Sequence, residues 1–319
     1  MLFGVLLFGC GQAPGPAPSP HPSPSLVVAS PTPSVAPQPA QRQEAPLPAP
    51  VEETAAAAAD GKLFVIGGFN AAGASLDSVF VFDGSSWQAG PRLPLPVDHP
   101  SASSLGGQVY LAGGHSNGRD SARLFRLDGT RWTELAPMHF ARGGHALLAE
   151  GGKLYAIGGN TYSGNVTAVE AYDPGANSWT VVSQLPMPRN HVSGFVLGSK
   201  VCVAAGRSPA TTRVDCLDTF DSSWSRLPDL PRATSGGGAT TLANGDVVMM
   251  GGENAGETVI VDVLTHYSDG GGWTAPVSMV TPRHGFELAV FQDRAWACGG
   301  ATAPGLHPVA ACTSVANAR

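Results

Sequence analysis

The sequence predicts an all-β chain built from repeats, a solenoid or a propeller, and three observations predict it. The stretch at 153–160, Lys-Leu-Tyr-Ala-Ile-Gly-Gly-Asn, recurs as Leu63-Phe-Val-Ile-Gly-Gly68, Val109-Tyr-Leu-Ala-Gly-Gly114, Val201-Cys-Val-Ala-Ala-Gly206, Val247-Val-Met-Met-Gly-Gly252 and Ala295-Trp-Ala-Cys-Gly-Gly300. The second glycines, Gly68, Gly114, Gly159, Gly206, Gly252 and Gly300, are 46, 45, 47, 46 and 48 residues apart. A period in the mid-forties made of short apolar runs and turn residues marks a solenoid or propeller. The 41 glycines and 28 prolines among 319 residues suit turn-rich β structure.

Each period carries further marks. An apolar segment ends at an aspartate, as in Val79-Phe-Val-Phe-Asp83 or Val169-Glu-Ala-Tyr-Asp173, and a tryptophan follows: Trp87, Trp132, Trp179, Trp224 or Trp273. A proline-rich corner comes next and often ends in Pro-Arg, as at Pro188-Arg189, Pro231-Arg232 and Pro282-Arg283. This pattern resembles the kelch repeat over residues 41–319. The resemblance implies a six-bladed β-propeller, each blade a four-stranded antiparallel sheet. The diglycines, the aromatic slot of Phe64, Tyr110, Tyr155 and Trp296, and the tryptophans read as structural, because repeated aromatics pack neighbouring blades.

Taken in order, residues 1–10 read as a signal peptide. Leu7-Phe-Gly-Cys10 resembles a bacterial lipobox, with Cys10 the lipidated residue; Phe8 is bulkier than that pattern's usual residue, and no basic residue precedes the apolar run. Residues 11–40 are almost wholly Pro, Ala, Ser, Gly, Gln and Val, too poor in apolar side chains to offset the entropy of ordering, and predict a disordered Pro/Ala-rich linker. The globular part is predicted to begin at residue 41, where residues 41–50 stand in register with the fourth strand and corner of other units. The last unit has no terminal tryptophan. The N-terminal strand is therefore expected to complete the sixth blade and remove an exposed seam.

Besides Cys10 there are Cys202, Cys216, Cys298 and Cys312. Both sequential pairs are separated by fourteen residues and link the second and third strands of one repeat. Two intra-blade disulfides are favoured, consistent with an oxidising compartment, with free buried thiols the alternative. Paired Cys-x-x-Cys spacing is absent, so no metal site is expected from the cysteines.

Strand alternation brings the segments after the diglycines and the Pro-Arg corners onto one rim, with short hairpins at the opposite face. Binding residues concentrate on variable loops held by a rigid scaffold, so this rim is the predicted site. Ligand-binding candidates are the corner arginines Arg142, Arg189, Arg232 and Arg283, with His115, Asn160, Arg207 and Glu253 from the loops. A basic funnel of this kind would clasp a carboxylate or phosphate; the alternative is that the corner arginines tie the repeat together. His145, His191 and His284 read as interblade hydrogen-bonders rather than metal ligands. Glu52 and Glu53 lie on the rim with no partner identifiable from sequence.

Net charge is −6 and no run of like charges exceeds two, which argues against a nucleic-acid partner. No internal stretch is apolar enough for a spanning helix, so membrane association is expected through a lipid anchor only. Gly114-His-Ser-Asn-Gly118 matches a nucleophile-elbow pattern, but it leads into another strand and lacks the strand-to-helix turn this chemistry needs. No zincin, EF-hand or phosphate-loop motif appears, and no cofactor is expected. The sequence thus predicts a monomeric, non-catalytic binding module of the bacterial cell envelope, lipid-anchored or secreted, that recognises a protein or cell-surface glycan. The rival is a sugar-active enzyme: bacterial sialic-acid mutarotases are similar in architecture, and a rim of arginines suits an acidic sugar.

Overall fold

A computed structural model describes residues 40–316, together with positions 1, 4, 9, 11 and 15. Cys10, most of the predicted signal peptide at 1–10 and nearly all of the linker at 11–40 lie outside the described residues. The chain divides into units 1–36 and 37–319, and the second is the propeller. Among the described residues no helix is long and apolar enough to cross a membrane.

Six four-stranded antiparallel sheets follow the six repeats. Blade 1 consists of Ala55–Ala59, Lys62–Ile66, Val79–Phe82 and Trp87–Ala89, and blade 2 of Ser101–Leu105, Gln108–Ala112, Leu124–Asp128 and Arg131–Leu135. Blade 3 runs through Gly143–Glu150, Lys153–Thr161, Ala168–Asp173 and Ser178–Gln184, and carries a short extra strand, Gly164–Asn165. Blade 4 is Ser193–Leu197, Lys200–Ala204, Val214–Asp218 and Trp224–Leu227; blade 5 is Gly238–Thr241, Val247–Met250, Leu264–Ser268 and Gly272–Trp273. Blade 6 takes Leu288–Phe291, Arg294–Cys298 and Cys312–Val315 from the end of the chain and Gln41–Glu44 from its beginning. The closing register is Gln41 opposite Val315 through Glu44 opposite Cys312.

The core is split into six clusters, each lying between two adjacent blades. Middle strands are therefore covered on both faces. That is why they read as unbroken apolar runs such as Val247-Val-Met-Met250 rather than as alternating patterns. Leu47 and Val51, from the N-terminal corner, are buried in the cluster between blades 6 and 1.

Two repeated contacts hold the ring, and disulfides brace two of its blades. The amide of the second glycine in each blade donates to the corner carbonyl of the next: Gly68 to Val97, Gly114 to Arg142, Gly159 to Arg189, Gly206 to Thr234, Gly252 to Arg283 and Gly300 to Val51. The close approach leaves no room for a side chain; a Cβ on Gly68 would lie 2.3 Å from the Glu52 carbonyl oxygen. The tryptophan indoles add a second tie, Trp87 Nε1–H donating to Ala45 O and Trp132 Nε1–H to Pro91 O, each at 2.8 Å. Within blades 4 and 6, Cys202 opposes Cys216 and Cys298 opposes Cys312 across strands two and three, and both pairs are disulfide-bonded.

Candidate functional site

The innermost strands begin at a ring of six residues around the propeller axis. The Glu53 amide donates to Gly285 O, His99 to Glu53 O, Gly144 to His99 O, His191 to Gly144 O, Gly236 to His191 O and Gly285 to Gly236 O. These six bonds close a backbone collar. All six residues have left-handed φ, between 51° and 69°. Three are glycines, which adopt that conformation freely, while Glu53, His99 and His191 hold it at a steric cost. The glycines also make room for their neighbours: a Cβ on Gly285 would lie 2.9 Å from Glu53 Oε1, and one on Gly144 would lie 3.0 Å from His191 Nδ1.

Above the collar sits a second tier, the residues just after each diglycine, bridged to the residues just before the collar. Asp98 pairs with His115, Asn190 with Arg207, Ser235 with Glu253 and His284 with Ala301. Side chains of both tiers converge. His99 Nδ1 lies 2.7 Å from Asp98 Oδ1, and its Nε2 lies 3.4 Å from Glu53 Oε2. His191 Nδ1 lies 2.6 Å from Asn190 Oδ1, and Arg207 Nη2 approaches its Nε2 at 2.9 Å. Arg207 Nη1 also donates to Glu253 Oε1 at 2.5 Å. His284 Nδ1 lies 3.6 Å from Glu53 Oε1 and 3.8 Å from Glu253 Oε1.

The electrostatics follow from burial and these partners. Burial opposes charge on His99, but the Glu53 and Asp98 carboxylates outweigh it and hold the imidazole above its ordinary value. Burial likewise works against Glu53, yet His99, His284 and His191 together bring it well below the carboxylate range. His191 is driven well below the usual histidine value by burial and by charged His99. Glu52, buried beside Glu53, is pushed up to about 7.

Beneath the collar is a chamber of about 40 Å³, lined by Glu53, His99, His145, His191 and Glu287 among others. It shares His145, Val192, Gly237 and Glu287 with an axial channel of about 310 Å³ between the innermost strands. Glu287 borders both spaces. Its Oε2 accepts from the amides of Ala56 and Ala102, its Oε1 from Ser101 Oγ, and burial pushes it up to about 7 despite these bonds.

The structure redistributes the candidate residues. Arg142, Arg189 and Arg283 are fully buried, 0% exposed, so they do not form an open basic funnel. Arg142 Nη2 donates to Glu170 at 2.9 Å and Arg189 Nη1 to Asp215 at 2.9 Å, while Arg283 donates to Ala297 O and Thr313 Oγ1. Arg142 and Arg189 are spent on closing their own blades' interiors, whereas Arg283 has no acidic partner among the described residues and its Nε and Nη1 have no hydrogen-bond partner. Arg232 is exposed and two residues out of register, since Thr234 fills the corner slot and donates to Gly251 O. His115, Arg207 and Glu253 do surround the axis. Asn160 is paired opposite Gly143 and Asn165 on the long second strand of blade 3. The interblade role expected for the histidines fits His284, which approaches Glu53 and Glu253 of the adjoining blades, but the His191 ring bonds Asn190 and Arg207 of its own blade and neither ring nitrogen of His145 has a hydrogen-bond partner. Sequence reading missed His99 and gave Glu53 no partner. The signal was a column: fifteen residues before the second glycine stand Glu53, His99, Gly144, His191 and Gly285.

A family model described as the KLHDC2/KLHL20/DRC7 Kelch-repeats domain matches residues 31–206. The chain is similar to beta-scruin of Limulus polyphemus, 24% identical over 193 residues, covering 56% of this chain and 21% of that protein. It is also similar to Kelch-like protein 36 of Mus musculus, 34% identical over 122 residues, covering 35% of this chain and 20% of that protein. The chain thus matches about a fifth of the length of these relatives. A solved structure titled "Structure of YjhT" shares the fold, with a TM-score of 0.71 and 16% identity, covering 85% of this chain and 99% of that one.

Proposed function

The chain belongs to the kelch-repeat family, and on that premise we propose that it is a non-catalytic binding module that recognises a protein partner through the rim of loops after the diglycines. Kelch propellers in general bind proteins. The observation that carries the reading here is the apolar exposure of that rim: Tyr162 is 66% exposed, Val259 56% and Leu306 46%, on loops of blades 3, 5 and 6. Exposed aromatic and aliphatic anchors set around a polar centre suit a protein contact better than a small polar ligand. The test is capture of partners from envelope extract by the full chain, with quantification by mass spectrometry. A Tyr162→Ser/Val259→Ser/Leu306→Ser variant should lose the wild-type partners at least tenfold. Phe220→Ser, on a hairpin at the opposite face, should keep them. Retention by the rim variant would reject the reading, and recovery of glycan-bearing species alone would replace the protein with a glycan.

A second reading, a sugar-active enzyme acting on an acidic sugar, is favoured by the convergence of Arg207, His191, His99 and Glu53 on the axis. It predicts thermal stabilisation by acidic but not neutral sugars, abolished by Arg207→Ala, followed by turnover. The proposed location is the bacterial cell envelope, with Cys10 as the lipid attachment point. Incorporation of a labelled fatty acid that disappears in Cys10→Ser would support it, and labelling that persists would reject it.

A further inference from the structure

We infer that Glu53, His99 and His191 form a binding site for a divalent transition-metal ion, of which Zn²⁺ is the natural test. One ligand atom from each, two imidazole nitrogens and a carboxylate oxygen, lie within 4.8 Å of one another on the axis. Bringing them onto an ion at about 2.0–2.1 Å takes side-chain rotations of about an ångström. Two imidazoles and one carboxylate are a donor set that zinc and its neighbours accept, with a position left for water or an incoming group.

Three further observations support the assignment. Both histidines are anchored through Nδ1, His99 by Asp98 and His191 by Asn190. Such a partner fixes the ring and leaves the Nε2 lone pair for an ion, which is how metal-binding imidazoles are held in place. Second, all three residues hold left-handed φ at collar positions that other blades fill with glycine, so the fold itself does not ask for these side chains. Strain kept where a strain-free residue would serve points to a functional demand. Third, the chamber of about 40 Å³ directly below is lined by the same three residues, with room for a water on the ion's open side.

Other groups set the terms of binding. Glu52, Asp98, Glu253, His115, His284 and Arg207 face this cluster, and His145 and Glu287 line the chamber with it. Arg207 donates to the His191 Nε2 that an ion would take, so binding requires its guanidinium to withdraw onto Glu253 and Glu257, which already hold its Nη1. An ion needs the Nε2 lone pairs of both imidazoles, so protons compete with it and affinity falls as pH is lowered.

The test is Zn²⁺ binding to the chelator-stripped full chain by calorimetry, with bound metal counted after dialysis and the Co²⁺ visible spectrum as a second readout. One ion per chain is expected. His99→Gly and His191→Gly should each weaken binding at least a hundredfold, Asp98→Asn by about 10–100-fold, and Arg207→Gln should strengthen it. Glycine is native at three of the six collar positions, so these variants keep the ring; Glu53→Gln, which removes the carboxylate at near-constant size, should also weaken binding. Wild-type protein that holds no more Zn²⁺ than the His99→Gly/His191→Gly double variant, or single variants with unchanged affinity, would overturn the assignment.

Discussion

Glu53 and His99 meet twice. The His99 amide donates to the Glu53 carbonyl at 3.1 Å as one link of the collar, and His99 Nε2 returns to within 3.4 Å of Glu53 Oε2 across the axis. The backbone contact is architecture, repeated at every blade. The side-chain contact is peculiar to this ring, because three blades place glycine at the equivalent position. Every blade builds the same scaffold, and only some of them furnish its centre.

The buried corner arginines belong to the scaffold. Glu170→Gln leaves the Arg142 guanidinium buried without its countercharge, and removing one partner of a buried pair costs about 3–5 kcal/mol. Arg232→Ala removes an exposed side chain and should change stability by no more than about 0.5 kcal/mol. Urea unfolding of the two variants measures the contrast, and similar midpoints would contradict it.

Glu287 gives a pH prediction. Its folded value of about 7 lies above the ordinary 4.5, so the native state favours the neutral acid. Below about 4.5 the group is protonated in both states and has no effect. Between 4.5 and 7 only the unfolded chain ionises, so this group's contribution to stability declines as pH rises and levels off above 7. Glu287→Gln removes that dependence. The melting temperature of the variant minus that of wild type should therefore climb from pH 4.5 to about 7; a flat difference would reject the account.

The disulfides are expected to matter individually. Each closes a span of fourteen residues, for which restriction of the unfolded chain is worth about 3 kcal/mol. Cys202→Ala/Cys216→Ala should show that loss in equilibrium unfolding, and reduced wild type should match a variant lacking both pairs.

Closure by Gln41–Glu44 predicts that the N-terminal strand belongs to the global folding unit. Deleting residues 41–50 removes a strand and buried Leu47, whose truncation alone, as Leu47→Ala, should cost about 2–5 kcal/mol. An unchanged melting temperature in the deletion variant would show that the ring closes without it.

Most of the scaffold was legible because its constraints recur. Each diglycine must admit a neighbouring backbone, each tryptophan must reach the preceding corner, and counting from these markers located even the closing strand. Ala205, the one departure from the diglycine, simply adopts the left-handed φ of 58° that its slot requires. The site was harder to read. Arginine at a turn ordinarily predicts exposure, and only the acid on the third strand, Glu170 or Asp215, makes burial of Arg142 and Arg189 tolerable. The collar was missed because its column mixes glutamate, histidine and glycine. What those residues share is a backbone conformation, and side-chain chemistry does not announce it.

The collar side chains of Glu53, His99 and His191 serve what enters the axis rather than the fold. His191 tests it most cleanly, since both its collar neighbours, Gly144 and Gly236, are glycines. The measurement is urea unfolding of His191→Gly against wild type in chelator-containing buffer. Relief of a left-handed histidine is worth about 1–2 kcal/mol, offsetting the lost contacts to Asn190 and Arg207. The account predicts stability equal to or above wild type. A loss of more than about 2 kcal/mol, the scale of a lost structural contact, would make His191 part of the architecture and contradict it.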